Sequence, residues 1–101
     1  MQPGTSSDSL PIFAVQEGMV VLDDTEREVG TVTAIQPPGT DARPDAPVGV
    51  AEHLMGGGYV RVDGSGFLTN DVYVAGDQIE DVDDGVVSLR VRYDDLYRAA
   101  D

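Results

Sequence analysis

Apolar and polar positions alternate with a period of two over several short stretches. The clearest is Tyr59-Val60-Arg61-Val62-Asp63, where Val60 and Val62 share one face and Tyr59, Arg61 and Asp63 the other. That is the pattern of a half-buried β-strand. Upstream, Val15 to Leu22 runs apolar as far as Asp23-Asp24, with Gly18 just ahead of Met19-Val20-Val21-Leu22. This predicts a first strand entered through Gly18 and ended by an acidic turn. Val29 to Ile35 is rich in β-branched residues and stops at Pro37-Pro38. It predicts a second strand, hairpin-paired with the first across residues 23–28, with Gly30 as a bulge or close-approach point.

Further strands are predicted at Val72-Tyr73-Val74-Ala75 and at Gln78 to Val82, after a turn at Gly64-Ser65-Gly66. Asp84-Gly85 lies between two apolar runs and is a strong local hairpin signal. The return strand, Val86 to Tyr93, places Val87, Leu89, Val91 and Tyr93 on one face and Arg90 and Arg92 on the other. Asp94 or Asp95 is placed to cap a last helical turn, in which Tyr93, Leu96, Tyr97 and Ala100 follow helical spacing. The fold class expected from this pattern is mainly all-β, a small antiparallel barrel or sandwich with a short C-terminal helical turn.

Two stretches lack the alternation. Residues 1–13, which begin MQPGTSSDSLP, read as a flexible N-terminal tail. Residues 36–58 contain four prolines and five glycines and read as a mobile loop insertion. The alternative there is a short helix from Ala46 to Met55, capped by Asp45 and stopped by Gly56. One domain is expected over residues 14–98, with a core small enough that self-association or partner docking would help it.

Composition then narrows the function classes. The chain of 101 residues has 19 Asp and Glu against six Arg and no Lys, a formal net charge of −13. Such a surface repels phosphate backbones, so direct nucleic-acid binding is not expected. No apolar run reaches the roughly 20 residues of a membrane span. Zero Cys excludes disulfides and thiolate chemistry. No secretory signal is visible at the start, and a cytoplasmic location is expected. The lysine-free acidity fits either a salt-rich cytoplasm or a GC-rich genome.

Candidate chemistry is sparse. His53, the only histidine, has no second imidazole or thiol beside it for zinc and reads as a surface residue. Ser65, in Gly64-Ser65-Gly66, lacks the Gly-x-Ser-x-Gly spacing of a nucleophile elbow. Without a nucleophile, base and orienting group, no enzyme and no cofactor are expected. The acidic turns, with Asp23, Asp24, Asp81, Asp83 and Asp84, offer hard oxygen ligands for a cation-binding or small-ligand sensor. In the second turn, however, Gly85 stands one position early for an EF-hand loop, and Arg92 occupies the place of its terminal Glu. Gly56-Gly57-Gly58 has no Lys-Ser/Thr after it and leads into a strand, so it is not a phosphate loop. Arg61, Arg90 and Arg92 are placed in strands, where cations govern partner choice more than stability.

Gln16-Glu17-Gly18-Met19-Val20-Val21 followed by Glu28-Val29-Gly30-Thr31-Val32 resembles the opening hairpin of the PRC-barrel family. Asp71 to Ile79 is similar to that family's aromatic-Ile-Pro segment, with Ala75 in place of the Pro. Glu80 to Leu89 is similar to its closing Val-Asp-Asp-Gly-Val-x-Leu hairpin. The likeness spans about residues 15–96 and is to the small stand-alone members. It implies a mostly antiparallel barrel that docks to other macromolecules without catalysis. The function expected is therefore an interaction or adaptor module, binding a protein partner or forming a homo-oligomer. The surfaces expected to carry it are the sheet faces bearing Tyr59, Arg61, Arg90 and Arg92 and an exposed Leu54-Met55 in the insertion.

Overall fold

In the computed structural model, residues 10–64 and 71–99 are described. Among these residues, seven strands form one mixed sheet: β1 (Val20–Leu22), β2 (Glu28–Gln36), β3 (Tyr59–Gly64), β4 (Val72–Ala75), β5 (Ile79–Asp83), β6 (Val86–Leu89) and β7 (Tyr97–Arg98). One helix, α1 (Val48–Gly57), precedes β3. The sheet order is β5-β6-β1-β2-β3-β4-β7, and every neighbouring pair is antiparallel except β1 with β6.

The expected mainly-β class is observed, while the sheet is mixed and not closed into the expected antiparallel barrel. β5 and β7 end the sheet without pairing to each other among the described residues, so the ladder is open. The parallel pairing of β1 with β6 sets Val20 opposite Val86 and Val21 opposite Val87. It joins two hairpins, β1–β2 and β5–β6, side by side.

The β5–β6 hairpin follows from its two turn residues. Asp84 and Gly85 both have positive φ, 55° and 79°, the mirror-image turn whose twist matches paired strands. The β1–β2 turn is built differently. The Asp23 carboxylate accepts from the Thr25 amide and hydroxyl and from the Arg27 amide, while Glu26 takes a φ of 67°. The register slips between Val21 and Leu22 against β2, where β2 has one residue more than its partner. Gly30 sits against β3 so closely that a Cβ there would run into the carbonyl of Asp63. That is the close approach for which a glycine inside a strand is needed.

Alternation along β3 and β4 sorts side chains into two clusters. Val60, Val62, Val72 and Val74 join Val21, Val29, Val32, Ile79, Val87 and Leu89 in the main core on one face. Tyr59, Tyr73 and Ala75 point to the opposite face, where Leu54 and Ala99 cover them and Val50 and Met55 of α1 pack alongside. β4 is therefore buried on both faces, as its unbroken apolar run allows.

Two segments are more ordered than their composition indicates. Residues 36–58 are not a structureless insertion. They carry α1, whose first intrahelical bond runs from the Ala51 amide to the Pro47 carbonyl, and Gly58 closes it at φ 82°. Pro47, not Asp45, stands at the cap position, and no side chain caps the helix. The helix is stabilised instead by burying Ala51 and Leu54, because packing an apolar face outweighs weak intrinsic propensity. Two tyrosine hydroxyls hold the approach to the helix: Tyr59 donates to the Ala42 carbonyl at 3.0 Å, and Tyr73 accepts from the Asp45 amide at 2.9 Å.

The second is the end of the supposed tail. Pro11–Ala14 forms a 3-10 turn that packs beside β5 and sends Ile12 and, after it, Val15 into the main core. Val15 to Met19 is correspondingly not strand, since Gly18 turns the chain at φ 93° before β1. At the other end, the expected helical turn is a 3-10 turn over Tyr93–Asp95 with Arg92 at its N-cap, followed by β7. The Ser65 and Gly66 part of the expected turn, Ala100, and residues 1–9 of the tail lie outside the described residues.

Candidate functional site

Of the residues expected to face a partner, two are interior. Leu54 is fully buried and Tyr59 is 6% exposed, because α1 lies across the face that alternation assigns to solvent. Their rings and methyls are core: Tyr59 meets Tyr73 edge-on, with centroids 5.5 Å apart and planes at 87°. Burial, reinforced by the neighbouring Tyr73, raises the Tyr59 phenol above its ordinary pKa, while Arg61 acts in the opposite direction. Met55 is half-buried against the same cluster.

Arg61 is half-buried and committed within the chain. Its Nε donates to Asp71 Oδ2 at 2.8 Å, its Nη1 donates to the Tyr73 hydroxyl at 3.2 Å, and its guanidinium lies 5.5 Å from the Tyr73 ring centroid. The Asp71 hydrogen bond outweighs partial burial and holds this guanidinium more firmly protonated than usual. Arg90 and Arg92 are exposed but follow β6 instead of lying in it, and Arg90 donates to the Ile79 carbonyl at 3.1 Å. β1 and β2 separate β6 from β3 in the sheet, so Arg61 stands apart from Arg90 and Arg92.

The acidic turns are brought together in part. Asp23, Asp24, Glu26, Glu80 and Asp81 surround an open depression of about 310 Å³ between the β1–β2 turn and β5, whereas Asp83 and Asp84 are not in its wall. Asp23 is not available to a ligand. It is 3% exposed, Oδ1 accepts from Thr25 and Arg27, and Oδ2 accepts from the Tyr93 amide at 3.1 Å. Burial alone would raise its pKa, but the Thr25 hydroxyl and the Arg27, Tyr93 and Thr25 amides outweigh that and hold it below 3.8. Among the described residues, no group of three or more His, Asp or Glu side chains is arranged to hold a metal ion.

His53 is exposed on α1, with Nε2 3.2 Å from Asp77 Oδ2. The pair stands at the rim of an apolar cavity of about 190 Å³ walled by Leu10, Ile12, Gly57, Ala75 and Gly76. Leu10 also borders a second, open depression of about 360 Å³, formed by Pro11, Phe13, Ala14, Val82 and Asp81. Phe13 is 59% exposed and Leu10 48%, large apolar side chains turned to solvent on the same short turn. This surface was missed because residues 1–13 read as tail. Its sequence signal is the apolar run Leu10-Pro11-Ile12-Phe13-Ala14-Val15, which is too hydrophobic for a solvated linker. No family model, no curated protein and no solved structure matches the chain.

Proposed function

We propose that the protein is a non-enzymatic docking module and that the depression formed by Pro11, Phe13, Ala14 and Val82 is its contact surface. The observation that carries this reading is the exposure of Phe13 and Leu10 side by side on a turn anchored by Ile12, which is buried in the core. An aromatic ring held on a fixed backbone contributes contact area at small entropic cost, and such anchors dominate binding energy at interfaces. The likeness of β1–β2 and β5–β6 to hairpins of the PRC-barrel family supports the same class of function, since that family serves as docking domains.

The surface can be tested by affinity purification from the source cell with the wild-type chain, Phe13→Asp and Arg92→Asp, followed by rebinding of the recovered protein in purified form. A partner that rebinds wild type and Arg92→Asp but not Phe13→Asp supports the surface. A partner lost with Arg92→Asp and retained with Phe13→Asp transfers the function to the segment that follows β6.

A further inference from the structure

Asp81 borders two depressions at once. On one side lies the apolar hollow of Phe13, Pro11 and Val82, and on the other the acidic hollow of Asp24, Glu26 and Glu80. The apolar hollow and the anionic hollow thus meet at Asp81 on β5, the strand that ends the sheet. Asp83 and Asp84, both exposed, continue the negative charge along β5 into its turn. Asp23, though in the wall, has its oxygens occupied by internal donors, so the charge offered to solvent is that of Asp24, Glu26, Glu80 and Asp81.

We infer that the partner seated here is a protein segment with an apolar cluster next to two or more Arg or Lys side chains. The inference rests on the docking reading and adds the chemistry of the partner. Apolar side chains fill the hollow beside Phe13, and the basic residues extend past Asp81 to the carboxylates beyond it. Complementary potentials accelerate encounter and reject wrong partners, while the buried apolar contacts set the lifetime of the complex. A second copy of this chain fits less well. It brings the same carboxylates to the same surface, and two molecules of net charge −13 repel at ordinary ionic strength.

The test uses the full chain and a fluorescein-labelled peptide, Gly-Leu-Phe-Leu-Gly-Arg-Lys-Arg-Gly, with binding read by fluorescence anisotropy. Two control peptides replace either the basic residues by Glu or the apolar residues by Ser. The parent peptide is expected to bind, to lose about tenfold in affinity with Phe13→Asp, and to weaken as salt rises from about 50 to about 500 mM. Glu80→Gln with Asp81→Asn is expected to reduce both the affinity and its salt dependence. Phe13→Ser repeats the first variant without adding charge, and circular dichroism confirms that each variant is folded.

Equal binding of the Glu peptide, still lost with Phe13→Asp, overturns the basic partner and leaves the docking surface standing. Equal binding of the Ser peptide overturns both, because charge alone then accounts for association. A concentration-dependent mass in light scattering that Phe13→Asp abolishes makes a second copy the occupant and overturns the basic partner. Absence of binding by the parent peptide overturns the inference, while the rebinding experiment with Phe13→Asp and Arg92→Asp still decides the docking reading.

Discussion

The carboxylate of Asp23 accepts a hydrogen bond from the backbone amide of Tyr93, 70 residues further along the chain, at 3.1 Å. The same side chain shapes the β1–β2 turn through Thr25 and Arg27, so one buried acid ties the first hairpin to the segment that follows β6. It also explains why a chain with this many acids keeps one of them inside: every oxygen faces donors, and a satisfied carboxylate tolerates burial.

Asp23→Asn is expected to destabilise the fold by about 1–3 kcal/mol, because an amide NH₂ must then face backbone donors. Urea denaturation measures it. The pH dependence has a defined sign. The folded-state pKa lies below 3.8, so the carboxylate's contribution is complete well above that value and is lost as pH falls through the folded pKa. The stability difference between wild type and Asp23→Asn should therefore be flat above about pH 5 and shrink in more acidic solution. A difference that grows on acidification contradicts the hydrogen-bonding scheme.

Gly30→Ala is expected to cost more than about 3 kcal/mol, or to prevent folding, because the added methyl meets the Asp63 backbone and not a movable side chain. Gly18→Ala provides the contrast. Its surroundings are open, and only the φ of 93° opposes a side chain, so a cost of about 1 kcal/mol is expected. Thermal melts of the two variants in the same buffer give the comparison; equal costs would mean that β2 and β3 are not held at this separation.

Leu54→Ala is expected to cost about 2–5 kcal/mol, the usual penalty for emptying a fully buried leucine site. Amides of α1 should be protected from hydrogen exchange in the wild type and lose protection in this variant before the β3 amides do. Free exchange throughout residues 48–57 of the wild type would restore the mobile-insertion reading of this stretch.

Much of the sheet was legible because its cause is local. Alternation placed Val60, Val62, Val87 and Leu89 in the core, and Asp84-Gly85 marked its hairpin, since both features depend on neighbouring residues only. The parallel contact of β1 with β6 was not legible, because nothing in either strand encodes a partner more than 60 residues away. The outward assignment of Tyr59 failed for a related reason: period two says which residues share a face, but not that α1 covers the second face. The order of residues 36–58 depends on Tyr59 and Tyr73 reaching back to Ala42 and Asp45, contacts that composition does not carry. Phe13 was hidden by the polar residues before it, although the apolar run around it was visible.

On the proposed reading, a partner docks on the surface that runs from Phe13 to Asp81. Backbone amide chemical shifts of the full chain, recorded during titration with the apolar-basic peptide, locate binding most directly. Changes confined to residues 10–14, 24–26 and 79–84 are the expected result. Changes centred on Arg61 and Asp71, or on the exposed face of α1, would contradict it.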